Sequence, residues 1–352
     1  MASNRIPSLD GLRAVAILMV LVSHLSEAPA FITLPSEAPN LLGDTGVRVF
    51  FVLSGFLITT LLITEHARTG RVDIFRFYVR RCFRIFPAFY LYLGVLLVLS
   101  VSGWITLRSG DLAKAALYVV DYFPWNSTSN FVRHIWSLSV EEQFYLIWPV
   151  TICVLGLRRA KRVALASIVI SPVWRIAVLH WFPVFNLTLP RRFDCISDAL
   201  ATGCLLACLH PFLATLDPYR RMLQSRWMHV LPIAVLLAAA TSFHPHIYYG
   251  FLESVMNLGI ALYMHYCIFH PPRILNIAMV RWLGLMSYSI YLWQQLFCAP
   301  NEGLIRLAWY AAVPLTLGAA SLSYYLVEHP MQRLGHRLTA RIPARETQVV
   351  FR

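Results

Sequence analysis

The stretch IFPAFYLYLGVLLVLSVSG, residues 85–103, runs for nineteen residues without one charged side chain. As a helix rising ~1.5 Å per residue it is about 28 Å long, close to the ~30 Å hydrocarbon core of a bilayer. Comparable apolar runs occupy 12–30, 47–65, 135–157, 163–183, 195–212, 228–243, 248–269, 282–299 and 307–327. Composition agrees: of 352 residues 58% are apolar and 13% charged, against the ~25% charged of a soluble domain. The mean hydropathy is +0.61. Ten spans of about 20 residues use roughly 200 residues, so no separate globular domain is expected beside them. The fold class read from this pattern is all-α, a polytopic transmembrane bundle of about ten helices.

A further run, 112–123, is short and carries Lys114 and Asp121, and charge decides its place. Cytoplasmic loops collect Lys and Arg. If 112–123 does not cross and the N-terminus is inside, 22 positive residues fall on the cytoplasmic side and six outside; Arg48 and Arg175 lie within spans. If it crosses, the count becomes 12 inside and 15 outside, which breaks the rule. Ten spans with both termini cytoplasmic is the expected layout. It also explains the net charge of +13 without nucleic acid, which a soluble basic protein would suggest. A rival for the first span is a cleavable signal peptide, with Arg5 and Arg13 ahead of the run 14–22 and Ala28-Pro29-Ala30 behind it.

The seven cysteines are scattered, several inside apolar blocks, and form no CxxC pair; they read as small buried hydrophobes, not disulfides or ligands. The pair His244 and His246 is weak evidence for a metal, and none is expected. Residues 331–352 form a basic amphipathic tail suited to a cytoplasmic, anionic membrane surface.

Ionisable residues within hydrocarbon are costly and demand a partner or a function. His24 lies about 16 Å along the first helix from Arg13, in the outer half of the membrane. Glu141 and Glu142 on the fourth span, Arg175 on the fifth and Gln294 on the ninth come to a similar level. A buried active site or a transporter site would both require this; a structural ion pair of Arg175 with Glu141 or Glu142 is the plain alternative. On the cytoplasmic side Arg80, Arg81 and Arg84 lie within one turn, interleaved with aromatics, and Arg13 enters from the same side. Their guanidinium forks suit an anionic, phosphate-bearing ligand, although positive-inside anchoring explains any one of them as well.

Arg13, ten intervening residues and His24 resemble the Arg/Lys-x10-His signature of the acyltransferase-3 family of membrane-bound O-acyltransferases. The resemblance extends through LDGLRAVAILMVLVSH (9–24), FFVLSGFLIT (50–59), RRCFRIFPAFY (80–90), WSLSVEEQFYLIWP (136–149), RRFDCISDALATG (191–203), GLMSYSIYLWQ (284–294) and YYLVEHP (324–330). It assigns 1–330 to one acyltransferase domain. It implies ten core spans, cytosolic acyl-coenzyme A (usually acetyl-coenzyme A) as donor and a hydroxyl on a glycan, lipid-linked glycan or small glycoside as acceptor. An inner or plasma membrane location follows. Where similar proteins often have His after Tyr-Leu-Trp, this chain has Gln294. Some relatives carry an appended SGNH-type hydrolase domain, for which 352 residues leave no room, so the chain is expected to act alone or with a separate periplasmic partner.

Acyl transfer to an alcohol needs a base, a polarised carbonyl and two reactants held together. His24 is the expected base. Glu141 is expected to orient it, with Glu142 as the spare carboxylate, and Arg175, Tyr288 or Tyr291 to stabilise the oxyanion. Arg13, Arg80, Arg81 and Arg84 are expected to hold the donor's phosphates. Arg192 and Asp194, at the outer end of the sixth span, are expected to touch the acceptor, with a helix-entry ion pair as the alternative. Tyr288 and Gln294 complete the expected substrate-binding set. Ser54-Gly55 reads as a close helix contact. A transporter or flippase of a lipid-linked glycan remains the second function class.

Overall fold

The computed structural model describes residues 6–26, 28–32, 34–35, 38–181, 191–240, 247–298 and 307–341. His244, His246 and the end of the basic tail lie outside the described residues. Those described form helices and no β-strand: α1 (Pro7–Leu25), α2 (Ala38–Thr69), α3 (Ile74–Val101), α4 (Asp111–Ala116), α5 (Asn130–Arg133), α6 (Ile135–Trp181), α7 (Phe193–Leu213), α8 (Asp217–Leu223), α9 (Trp227–Ala240), α10 (Glu253–Phe269), α11 (Ala278–Leu285), α12 (Ser287–Cys298), α13 (Trp309–Ser323) and α14 (His329–Arg341). Single π-helical turns at Tyr248–Leu252 and Tyr324–Glu328 lead into α10 and α14.

Six helical stretches among the described residues are long and apolar enough to cross a membrane, and α8 with α9, bent by 72°, would make a seventh. The protein is a multi-pass membrane protein. The sequence-derived spans 135–157 and 163–183 share the 47-residue α6. At ~1.5 Å per residue that is about 70 Å, more than twice the hydrocarbon thickness, so α6 is not one crossing. The backbone breaks inside it at Gly156, whose φ of 75° lies in the left-handed region that glycine enters without a Cβ penalty. Residues 112–123 hold only the six-residue α4, a turn and a short 3-10 helix, and cannot cross.

The apolar side chains left outside, among them Val101 (80% exposed), Val154 (72%), Leu146, Val169, Val173 and Leu326, sit on these long helices. Surfaces of this kind are rare in water and ordinary against lipid.

The chain divides into two compact units. The first comprises 1–23, 34–63 and 157–285. Its core packs Leu9 and Leu12 with Val52, Leu53, Phe56, Leu206, Met264 and Cys267. The expected close contact at Gly55 is present: α2 crosses α7 where Gly55 opposes Leu200 and Gly203 opposes Val52. A Cβ on Gly203 would overlap the Val52 carbonyl and stand 2.7 Å from the Phe56 nitrogen.

The second unit comprises 24–33, 64–156 and 286–352. In it α12 pairs with α13, and α14 lies along α3, where Gly335 lets the helix approach Phe83. Tyr92, Leu96, Phe131, Ile135, Ile152, Ile290 and Leu292 are fully buried there.

Candidate active site

In the second unit α12 is the spine of a polar seam. Tyr288 and Gln294 are six residues apart, about 9 Å along the axis, and they mark two levels.

At the first level the Tyr288 hydroxyl donates to the Ile85 carbonyl (3.0 Å). Next to it, Ser289 donates to Glu328 Oε2 (2.7 Å), and Gln332 Nε2 donates to Glu328 Oε1 (2.9 Å). Glu142 lies within electrostatic reach of Arg81, and both lie within reach of Tyr288. The Arg81 guanidinium stands 3.5 Å over the ring of Tyr145, a cation–π contact that holds the side chain against the helix carrying Glu142. Tyr118, in the segment between α3 and α5, stacks on Phe89 with centroids 4.5 Å apart. Its φ of 53° is a left-handed conformation that costs a non-glycine residue free energy. Burial and the nearby Glu142 push its hydroxyl well above the ordinary phenol range, so it stays protonated.

At the second level the Tyr291 hydroxyl donates to the His134 carbonyl (2.8 Å) and shares a 2.6 Å hydrogen bond with Ser137 Oγ. The His134 ring stands edge-on to Tyr92 (5.7 Å, 83°) and tilted on Tyr291 (5.4 Å, 53°). Tyr92 meets Trp293 edge-on (5.6 Å), and its hydroxyl is committed to the Phe131 carbonyl (2.7 Å). His24 faces the Gln294 carboxamide and lies within electrostatic reach of His134. Gln294 and His134 thus stand beside His24. Glu142, the spare, is the carboxylate turned towards Arg81.

The arginines expected to hold phosphate have the following partners. Arg80 pairs with Glu65 at 4.0 Å, and Arg80 and Arg84 lie near His336 of α14. Arg13, in the first unit, pairs with Asp10 three residues earlier (3.4 Å).

Arg175 is committed elsewhere, and its proposed place at an oxyanion is corrected accordingly. In the first unit it donates from Nη1 and Nη2 to Asp198 Oδ1 and Oδ2, both at 3.1 Å. It also donates to the Cys195 carbonyl (2.6 Å), to Ser254 Oγ (2.7 Å) and, from Nε, to the Tyr249 carbonyl. A guanidinium has five N–H groups, and these bonds use all of them. Neither Glu141 nor Glu142 is its partner; Asp198 and Glu253 are. Glu253 also meets Arg48 (2.6 Å), whose Nη1 donates to Asn257 Oδ1 (3.2 Å). Two arginines and two carboxylates thus neutralise one another inside the apolar first unit. Arg192 and Asp194 form a two-pronged pair at 3.0 Å, completed by Trp174 Nε1 on Asp194 Oδ2 (2.6 Å). This is the ion-pair alternative, with an indole added.

Sequence reading passed over Asp198 and Glu253, although the rule that drew attention to His24 applies to both. It gave His134 no role. No group of three His, Cys, Asp or Glu side chains that could hold a metal occurs among the described residues.

Residues 6–328 match the family described as an acyltransferase domain. The chain is 29% identical to the peptidoglycan O-acetyltransferase OatA of Listeria monocytogenes, an alignment covering 94% of this chain and 56% of that protein. It is 30% identical to the Bacillus subtilis protein YrhL, named a putative peptidoglycan O-acetyltransferase, over 96% of this chain and 56% of the relative. With the O-acetyltransferase OatA of Staphylococcus aureus the figures are 29%, 97% and 60%. The chain spans a little over half the length of these relatives. No solved structure matches it.

Proposed function

This chain belongs to the acyltransferase-3 family, and on that premise we propose that it is a membrane-embedded O-acetyltransferase acting on an exported glycan such as peptidoglycan. The observation that carries the reading is the family match over 6–328, which includes both levels of the α12 seam. The names of the relatives support the acetyl group and a cell-wall acceptor. Acetyl-coenzyme A is the proposed donor, entering from the cytosol. A ten-span layout in the inner or plasma membrane, with both termini and α14 cytoplasmic, puts Arg80, Arg81 and Arg84 on the donor side and His24 deeper.

In this reading Arg81 and Arg84 hold phosphate oxygens of the donor, helped by Arg80. His24 removes the acceptor hydroxyl proton as its oxygen attacks the thioester carbonyl carbon. The carbon–sulfur bond breaks, and the departing thiolate takes the proton from the imidazolium, so His24 returns neutral. A base so placed contributes about 10²–10⁴ in rate. Gln294 positions the imidazole that faces it. Glu142 sets the charge around Arg81, and Glu141 is left as a lining carboxylate. Arg192, Asp194 and Trp174 form the proposed acceptor contact, and Tyr288 lines the path between the levels.

The test is purified full-length protein in detergent, given acetyl-coenzyme A and a muropeptide acceptor, with release of free thiol and mass of the acceptor both followed. Wild type is expected to release thiol and add one acetyl group. The His24→Ala variant is expected to bind the donor and transfer nothing. Absence of thiol release by wild type would sink the enzymatic reading and favour a transporter.

A further inference from the structure

Buried polar atoms are nearly always hydrogen-bonded, and each exception asks for a reason. In the second unit the exceptions gather at one level. His134 is 3% exposed and Gln294 fully buried, and neither side chain has a hydrogen bond of good geometry: the ring of the one only approaches the Leu292 backbone, and the carboxamide of the other only approaches His24. Trp293 Nε1 and His24 Nδ1 have none either. These groups are neighbours. Trp293 meets Tyr92, Tyr92 meets His134, His134 approaches His24, and His24 faces Gln294, so the ring of contacts closes on adjacent residues of α12. The hydroxyls nearby are spent: Tyr92 on Phe131, Tyr291 on His134 and Ser137. What remains without a well-formed bond includes the Trp293 indole N–H, the Gln294 carboxamide N–H groups and the one N–H that a neutral His134 ring carries, held rigid by aromatic edges and by the Tyr291 bond to the His134 carbonyl. Leaving a buried donor unpaired is costly, so several gathered together ask for something that they bind.

Resting on the acyltransferase reading, we propose that His134, Trp293 and Gln294 form a carbonyl receptor: a buried donor set that takes the oxygen of a short acyl thioester beside His24. A carbonyl oxygen accepts two hydrogen bonds, carries no charge and suits neutral donors in an apolar wall. In the transfer step the carbonyl carbon gains the acceptor oxygen, and the C=O electron pair moves to oxygen. The donors then face an oxyanion, which they bind more tightly than the ketone-like ground state. The pair returns as the carbon–sulfur bond breaks, and the proton taken by His24 leaves with the thiol. No oxidant or metal is needed. The alcohol-bearing acceptor has no comparable claim on this set, because each of its three residues can present an N–H group and none is a carboxylate.

The experiment is isotope-edited infrared spectroscopy of [1-¹³C]acetyl-coenzyme A bound to the full chain in detergent, alongside steady-state kinetics. Wild type is expected to shift the carbonyl band to lower frequency. Trp293→Phe and Gln294→Met should each reverse part of that shift, and His134→Asn should do the same. Each should lower kcat by about 10²–10³-fold with little change in the donor's KM, as for loss of an oxyanion donor. Trp293→Phe removes one N–H and keeps the aromatic packing, so it carries the test should His134→Asn fail to fold. A carbonyl band equally shifted in wild type and all three variants would overturn the receptor while leaving the enzyme standing. A wild-type protein that binds no acetyl-coenzyme A would overturn both.

Discussion

Arg175 and Asp198 meet fork to fork, with Nη1–Oδ1 and Nη2–Oδ2 both at 3.1 Å and neither side chain exposed. They join the fifth sequence-derived span to α7, and Glu253 ties the same guanidinium to α10. The pairing is local charge neutralisation in an apolar interior, and it changes what Arg175 does.

Removing one partner of such a pair leaves an uncompensated buried charge, a loss of about 3–5 kcal/mol. Arg175→Met is therefore expected to cut the yield and melting temperature of folded protein in detergent. The double variant Arg175→Met with Asp198→Leu should recover much of the loss, because neither charge is then stranded. A stable Arg175→Met protein with reduced transfer would instead return Arg175 to the chemistry.

The crossing of α2 and α7 gives a second test. Gly203→Ala would put a methyl into the Val52 carbonyl, so the helices must separate or the variant must lose stability, by roughly 1–3 kcal/mol. Gly94→Ala meets nothing within 4 Å and should be neutral or mildly stabilising. Thermal unfolding of both in the same detergent compares them directly.

Arg81 and Arg84 are expected to act on donor affinity. Each charge-assisted hydrogen bond lost on replacement by Ala should weaken acetyl-coenzyme A binding by about 1.5–3 kcal/mol. Arg81→Lys should be nearly as damaging, since an ammonium cannot reproduce a planar guanidinium stacked 3.5 Å over Tyr145. Calorimetric titration of donor into each variant reads the effect; unchanged affinity in the Arg81→Ala, Arg84→Ala double variant would leave these residues as topology anchors.

The span count is open to single-cysteine labelling, with accessible sites chosen from the structure. Ser109 and Arg159 are exposed, whereas the adjacent Ala160 is buried and would resist any reagent. An impermeant maleimide applied to intact cells should label Ser109→Cys and spare Arg159→Cys. Labelling at 159 from outside would show that the chain crosses between these positions an even number of times, against the ten-span layout.

That the chain is all-helical and crosses the membrane several times was legible in the sequence, because a bilayer sets one length and one polarity, and runs such as 85–103 satisfy both without reference to any other part of the chain. The short run 112–123, set aside on a charge balance summed over the whole chain, holds only short helices. The partners of the polar residues were not legible. His24, Arg175, Glu141 and Glu142 could be ranked by depth, but depth along a helix does not say which face meets which neighbour. These helices are apolar nearly all round, so periodicity marks their inner faces poorly. Asp198 and Ser254 lie 23 and 79 residues from Arg175, and Gln294 lies on a helix far along the chain from His24. Only the packed tertiary structure selects among such combinations. It does so by close contacts such as Gly55 on Leu200 and Gly203 on Val52, which set the rotation of each helix and with it the side chains that meet.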